Sequence, residues 1–143
     1  MKRTLLFLAV VSVSLLRASA QDCVGLYTCG PDESITYLSG CSCAQLRATQ
    51  ILDPTKDEVS LQPLEAARRA SKFLRDKHPK LYKDWSLDSV GLKRYDFPEG
   101  SRWYYVVQYL TLPKNSPRPR LRSLLIVVLM DGTVGHLKPK PKE

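Results

Sequence analysis

Four cysteines near the start of the chain carry the clearest potential for chemistry. Four thiolates are able to hold a zinc ion, a Cys-x-Cys pair is able to act in thiol redox chemistry, and four oxidised cysteines form two disulfides. Zinc binding and redox chemistry both require reduced thiols, so the compartment decides between these alternatives. The four residues are Cys23, Cys29, Cys41 and Cys43.

Residues 1–20 have the three-part pattern of an export signal. Lys2 and Arg3 precede a mostly apolar run over residues 5–16, and small residues follow at 18–20. The sequence therefore predicts a secreted or periplasmic protein. Beyond residue 20 the longest unbroken apolar run covers residues 124–130, far short of the roughly 20 residues of a membrane-spanning helix, so no span is expected.

Export to an oxidising compartment favours two disulfides over a zinc or redox site. A bridge between Cys41 and Cys43 would close a strained ring, so each is expected to pair with Cys23 or Cys29. The spacing leaves both of those pairings open.

No other group forms a recognisable catalytic motif. The two histidines, His78 and His136, have no nucleophile motif beside them, and the sequence has no zinc-protease, nucleotide-binding or dinucleotide-binding pattern. Four carboxylates are scattered over turns and strand edges: Asp84, Asp88, Asp96 and Glu99. We therefore expect a protein without a cofactor or a metal site, and one that is not an enzyme.

The charge is unevenly distributed. The 143 residues carry a formal net charge of +8, with residues 21–61 at −4 and residues 62–143 at +9. A basic set in the second part indicates either a solvated helix face or contact with an anionic surface, a glycan or the acidic arm. Nucleic acid is not expected because the protein is exported. The set comprises Arg68, Arg69, Lys72, Arg75, Lys77, Lys80 and Lys83, joined by Arg118, Arg120 and Arg122.

The chain divides into four segments. The export signal at 1–20 precedes a cysteine-containing arm at 21–59, a main domain at 60–137 and a Lys/Pro tail at 138–143. The arm is rich in Gly, Ser, Thr and Asp with little periodicity, which predicts a loop-rich segment pinned by disulfides, with a short helix at 43–50. Because Lys and Pro alternate in the tail, we expect it to be extended and flexible.

The main domain begins with the most regular helical pattern in the chain. Apolar residues at three-to-four spacing predict a helix over residues 61–77. Ser60 is positioned to cap its start, Pro63 fits the first turn, and Pro79 disfavours helical geometry at His78. The side predicted to face the core contains Leu64, Ala67, Phe73 and Leu74.

The period then becomes strand-like. The predicted strands cover residues 87–95 with a bulge at Gly91, 102–112, 121–130 with apolar residues on both faces, and 133–137 after an Asp131-Gly132 hairpin turn. The fold class is therefore α+β, with one long helix packed on an antiparallel sheet of three or four strands. Alternate side chains of the aromatic run formed by Trp103, Tyr104, Tyr105 and Tyr109 face opposite sides of the sheet, and one of these two sets faces the helix. The other is either covered by the arm or free to bind a partner.

The order of these elements resembles two families. A helix followed by strands that read Val90 to Tyr95 and Trp103 to Tyr109 is similar to the cystatin layout. A helix before strands that end in the stretch from Val127 to Val134 resembles small exported domains of the PepSY type. Both resemblances imply a binding or inhibitory module rather than a catalyst.

We therefore expect an exported, non-catalytic domain that acts through contacts with a protein partner. The competing class is an envelope-associated hydrolase or a thiol redox protein that uses Cys41 and Cys43. Loops held by a rigid sheet are common binding sites, which favours two connections in this chain. They are the turn formed by Phe97, Pro98, Glu99 and Gly100, with Phe97 as an apolar tip, and the loop at 114–120 with Arg118 and Arg120.

Overall fold

The computed structural model describes residues 21–29, 35–111 and 121–141. The predicted export signal, Arg118, Arg120 and the last two residues of the tail lie outside these ranges. In chain order the elements are β1 (Asp22–Cys29), β2 (Ile35–Ser42), α1 (Cys43–Arg47), α2 (Pro63–Lys77), α3 (Pro79–Tyr82), β3 (Ser86–Phe97), β4 (Gly100–Thr111), β5 (Arg122–Leu129) and β6 (His136–Pro141). No helix in the described ranges is long and apolar enough to cross a membrane.

The α+β class is confirmed, but the prediction of one long helix on a single sheet is wrong. The described part of the chain forms two three-stranded antiparallel sheets and three short helices. We call β1-β2-β6 the N-terminal sheet and β3-β4-β5 the central sheet. The difference arises because the arm, predicted as loop-rich, forms the β1-β2 hairpin, and because the end of the chain pairs with that hairpin.

The chain after β5 explains how the end of the protein reaches the N-terminal sheet. Gly132 adopts a φ of +86°, so the Asp131-Gly132 pair forms the predicted turn. The returning segment then pairs with β5 only at the bridge between Val128 and Val134. From residue 136 onward it pairs with β2 as β6, so the prediction of a flexible tail is wrong for residues 138–141.

The central sheet is a meander of β3, β4 and β5. The aromatic and β-branched run predicted as a strand is β4, which pairs with β3 and β5 along its length. The irregularity in β3 falls between Leu87 and Ser89, so the predicted bulge at Gly91 is wrong. Gly91 instead pairs regularly with Val106.

Helix α2 begins and ends as its prolines predict, with Pro63 in the first turn and His78 at the C-cap. The N-cap, however, is Gln62, and the Ser60 hydroxyl donates to the Met130 carbonyl at 3.3 Å. The predicted core side is also partly wrong, since Leu64 is 63% exposed and Phe73 is only half-buried. The helix packs through a stripe four residues apart, because small alanines allow close approach to the sheet: Ala66, Ala70 and Leu74.

Strand β5 is apolar on both faces because it is covered on both faces. On one face, Leu124, Ile126 and Val128 belong to a core shared with α2. On the other, Val127 and Leu129 belong to a second core shared with the N-terminal sheet. That second core also contains Val24, Cys41, Leu46 and Phe97. The arm therefore covers part of the sheet face that the sequence left open.

Candidate functional site

Only one of the two predicted disulfides is present among the described side chains. Cys23 and Cys43 are bridged, with their Cα atoms 4.8 Å apart, while Cys41 is a free, buried thiol. The prediction that Cys41 joins a disulfide is wrong, and the register of the hairpin explains it. Val24 lies opposite Cys41, whereas Cys29 lies opposite Thr36, five residues further along the strand pair. This offset of about 17 Å far exceeds the roughly 7 Å limit between bridged Cα atoms.

The environment of Cys41 makes it a poor nucleophile. The side chain is fully buried in the core between the two sheets. This burial, followed by the nearby negative charge of Asp22, raises the pKa of the Cys41 thiol to about 11. A thiol with that pKa stays protonated at neutral pH, which opposes thiol redox chemistry at this residue.

The two histidines lie in unrelated environments. His136 on β6 places Nε2 3.3 Å from Oδ2 of Asp22 on β1, across Gly40 of the intervening strand. Nε2 forms no hydrogen bond with a described residue, so the contact is an ion pair only when the imidazole is protonated. His78 lies at the junction of α2 and α3, where partial burial lowers the pKa of its imidazole. Within the described ranges no three His, Cys, Asp or Glu side chains form a potential metal site.

Phe97, predicted as the apolar tip of a partner-binding turn, is part of the core instead. Phe97 is only 9% exposed, and the guanidinium carbons of Arg47 and Arg102 lie 4.4 and 5.9 Å from its ring centroid. Glu99 accepts a hydrogen bond from Arg47 Nε at 2.9 Å. The prediction of an apolar tip is wrong because Phe97 has the strand parity that faces α1 and β1. Pro98 and Glu99 remain exposed and Gly100 is half-buried.

The second predicted loop, with Arg118 and Arg120, lies outside the described residues. Strand β4 begins at Gly100, beside the turn, and ends at Thr111, the last described residue before that loop. Eleven residue steps of an extended strand separate those ends by about 36 Å. The combined site of turn and loop therefore stays a prediction.

The aromatic residues of β4 are used for packing. Trp103 donates through Nε1 to the Leu52 carbonyl at 2.7 Å, and the Tyr105 hydroxyl donates to the Leu61 carbonyl at 2.8 Å. The Tyr109 hydroxyl contacts that of Ser71 at 2.8 Å. Tyr104, on the opposite parity, is half-buried against the second core. The polar atoms of Trp103, Tyr105 and Tyr109 have partners, and side chains on both faces of the strand are at least half-buried. This aromatic run is therefore part of the scaffold.

The most extensive charged surface lies on α2, α3 and the residue after α3. Residues 63–84 contain seven bases and three acids, a net charge of +4. Arg69 has a structural role, because it pairs with Glu65 and donates to the Gly132 carbonyl at 3.3 Å. The other six bases are exposed and form what we call the basic helical surface: Arg68, Lys72, Arg75, Lys77, Lys80 and Lys83.

The basic helical surface is only partly neutralised within the protein. Arg68 lies 3.9 Å from Glu65, and Lys72 and Arg75 both pair with Asp76. Lys77, Lys80 and Lys83 form no ion pair with a described residue. The lysines at the end of this surface are therefore the cations most available to a partner.

Sequence reasoning missed one further exposed group. Tyr27 on β1 is 63% exposed, and Lys140 Nζ lies 5.7 Å from its ring centroid. The only sequence signal for it was the alternation of Lys and Pro in the tail, which fixes neither strand pairing nor the side that the lysines occupy.

Comparison of the chain with protein-family models, with curated proteins and with solved structures finds no match. The resemblance to the cystatin and PepSY layouts therefore stays a prediction.

Proposed function

We propose that this protein is an exported, non-catalytic binding domain that docks an acidic partner protein through the basic helical surface. The export pattern of residues 1–20 and the Cys23–Cys43 disulfide support an extracytoplasmic location. The resemblance to binding and inhibitory modules is compatible with a protein that acts by occupying a partner's surface.

The observation that carries the proposal is the set of three lysines without an ion pair among the described residues. Lys77, Lys80 and Lys83 follow one another over seven residues and are all exposed. Lys77 also lies in the last turn of α2, where the helix dipole favours a cation. Exposed charges of one sign increase the rate at which an oppositely charged protein associates.

The groups that might support catalysis argue against an enzyme. Cys41 is buried and protonated, Cys43 is oxidised, and His78 and His136 contact different elements. Glu65, Asp76 and Glu99 are engaged in exposed ion pairs with arginine or lysine. Among the described residues neither histidine forms a hydrogen bond with a serine, threonine or cysteine side chain, so no histidine-activated nucleophile is present there.

The experiment uses the disulfide-intact mature protein as bait for the extracellular fraction of the producing cells. The wild type is compared with Lys80→Glu/Lys83→Glu, and Lys56→Glu/Lys93→Glu provides the same charge change at exposed sites elsewhere. Retained proteins are quantified by mass spectrometry at low and at high salt.

We expect an acidic protein that the wild type and the Lys56/Lys93 control retain equally and that the Lys80/Lys83 variant loses at least tenfold. Retention that is equal in all three proteins, or that fails equally in both variants, would contradict the proposed surface. Turnover of a retained protein or of a thiol substrate by the wild type would contradict the non-catalytic assignment.

A further inference from the structure

The outer face of the N-terminal sheet presents an aromatic ring and two cations on one surface. Tyr27, Leu38 and Lys138 lie opposite one another across β1, β2 and β6, so their side chains project to the same side. Lys140 lies two residues beyond Lys138 and shares this side. The alternate residues, including Val24 and Cys41, face the central sheet. The outer face is therefore the side of the sheet that does not contribute to that core.

Tyr27 has the exposure of a contact residue rather than a core residue. Its side chain is 63% exposed, and the cation of Lys140 lies 5.7 Å from the ring centroid. This contact places a positive charge over the ring, and the Tyr27 side chain stays largely exposed. A ligand that reaches the ring thus also reaches the cation.

The sheet surface beside the Tyr27 ring has few side chains and is polar. Gly25 lies opposite Gly40, and Gly40 lies opposite His136. His136 is therefore the one residue of this row across the sheet that has a side chain. Gly25 is exposed, with the Leu38 side chain next to it. At the end of the row His136 Nε2 lies 3.3 Å from Asp22 Oδ2. Gly40 and the His136 Nε2 atom are buried, so the exposed part of this surface lies at Gly25 and Tyr27 on β1.

We propose that this face binds an anionic polysaccharide. The C–H face of a pyranose ring is complementary to the negative π-face of Tyr27, and Lys138 and Lys140 are complementary to carboxylate or sulfate groups on the sugars. This site is separate from the basic helical surface and concerns a different class of ligand.

Two other anionic ligands fit the face less well. Single-stranded nucleic acid is bound by several aromatic side chains on which successive bases stack, whereas the described outer face exposes one ring. Recognition of anionic lipid uses clusters of about four to eight bases, whereas the described part of this face carries two lysines.

The test is a calorimetric titration of the full mature protein with polygalacturonate and with dextran sulfate, and with uncharged dextran as the neutral probe. Tyr27→Ala removes the ring and Lys138→Gln/Lys140→Gln removes the two charges. Tyr82→Ala and Lys80→Gln/Lys83→Gln are the matched controls on the helical side of the protein. Circular dichroism and the melting temperature establish that each variant is folded.

We expect saturable binding of at least one anionic polysaccharide, no binding of dextran, and an affinity loss of about tenfold or more in both outer-face variants. The two controls should bind like the wild type. This result does not depend on the outcome of the partner experiment, which tests a different surface. The proposal is overturned if neither polysaccharide binds, or if Lys80→Gln/Lys83→Gln loses as much affinity as Lys138→Gln/Lys140→Gln. Tighter binding of oligothymidylate or of phosphatidylserine vesicles through Tyr27, Lys138 and Lys140 would overturn it in favour of that ligand.

Discussion

The guanidinium of Arg47 stacks on the ring of Phe97, with 4.4 Å between the guanidinium carbon and the ring centroid. This contact joins α1 to the β3-β4 turn, and the Arg47–Glu99 ion pair lies beside it. Arg102, which is 6% exposed, donates to the carbonyls of Arg47 and Gly100 from the same side. Phe97 and Glu99 of the turn are thereby held against the N-terminal part of the chain.

Phe97→Ala should lower the free energy of unfolding by about 3–5 kcal/mol, because it removes a buried ring and leaves a cavity between Leu46 and Val24. Leu64→Ala is the control, since Leu64 is 63% exposed and its truncation should cost less than about 0.5 kcal/mol. Urea denaturation measures both. Similar small effects in the two variants would contradict the burial of Phe97.

Gly40→Ala should destabilise the N-terminal sheet strongly. A β-carbon at Gly40 would lie 2.0 Å from the Val24 carbonyl oxygen, and backbone atoms in a paired strand have little freedom to move away. We expect a loss of at least about 2 kcal/mol. In Gly91→Ala the nearest neighbouring atoms would be 3.8 and 4.0 Å from the new β-carbon, so the melting temperature of that control should be close to that of the wild type. A tolerated alanine at Gly40 would contradict the β1-β2 register.

The cysteines should show two different reactivities in mass spectrometry under non-reducing conditions. Cys23 and Cys43 should be recovered as one disulfide-linked peptide pair. Cys41 should resist iodoacetamide in the folded protein and react after denaturation, because it is buried and its pKa is raised to about 11. Rapid alkylation of Cys41 in the folded protein would support the redox alternative.

Protonation of His78 should destabilise the protein. Burial lowers the pKa of His78 in the folded state, so the unfolded chain takes up this proton at a higher pH than the folded chain does. The stability contributed by neutral His78 is complete above its unfolded pKa of about 6.5 and decreases as the pH falls through that value. The melting temperature of the wild type should therefore fall more between about pH 7.5 and 5 than that of His78→Gln. An equal change of melting temperature with pH in the two proteins would show that His78 does not contribute to the pH dependence of stability.

The elements that local sequence determines were predicted well. Pro63 and Pro79 set the limits of α2, and the apolar run of β5 is buried on both faces. The core side of α2 was predicted less well. Hydrophobic spacing placed Leu64 inside, but the contact depends on the small alanines that fit against the sheet.

The N-terminal sheet could not be predicted because its strands depend on one another. Glycine and serine interrupt the alternation in β2, and Lys-Pro alternation in β6 has low intrinsic β propensity. Pro139 and Pro141 have no backbone N–H, so only the other residues of β6 are able to donate backbone hydrogen bonds to β2. Such a strand forms when β2 supplies an edge, which a local pattern does not reveal.

The strand order bears on the site predicted at the two loops. In a meander, successive connections leave the shared strand at opposite ends, so the turn at Phe97 and Thr111, where the second loop starts, are separated by the length of β4. The part of that site on residues 114–120 stays a prediction. The basic helical surface was recognised from the sequence, but its free lysines were not. Because Glu65 and Asp76 pair with other bases of this surface, Lys77, Lys80 and Lys83 remain its available cations.

Lysine acylation of the purified complex, read residue by residue by mass spectrometry, tests the proposed binding surface most directly. The captured acidic partner should protect Lys77, Lys80 and Lys83 from acylation relative to the free protein. Lys56 and Lys93, which are exposed elsewhere, should react equally in both states. Unchanged reactivity of the three lysines in a saturated complex would contradict the proposal that this protein binds its partner through the basic helical surface.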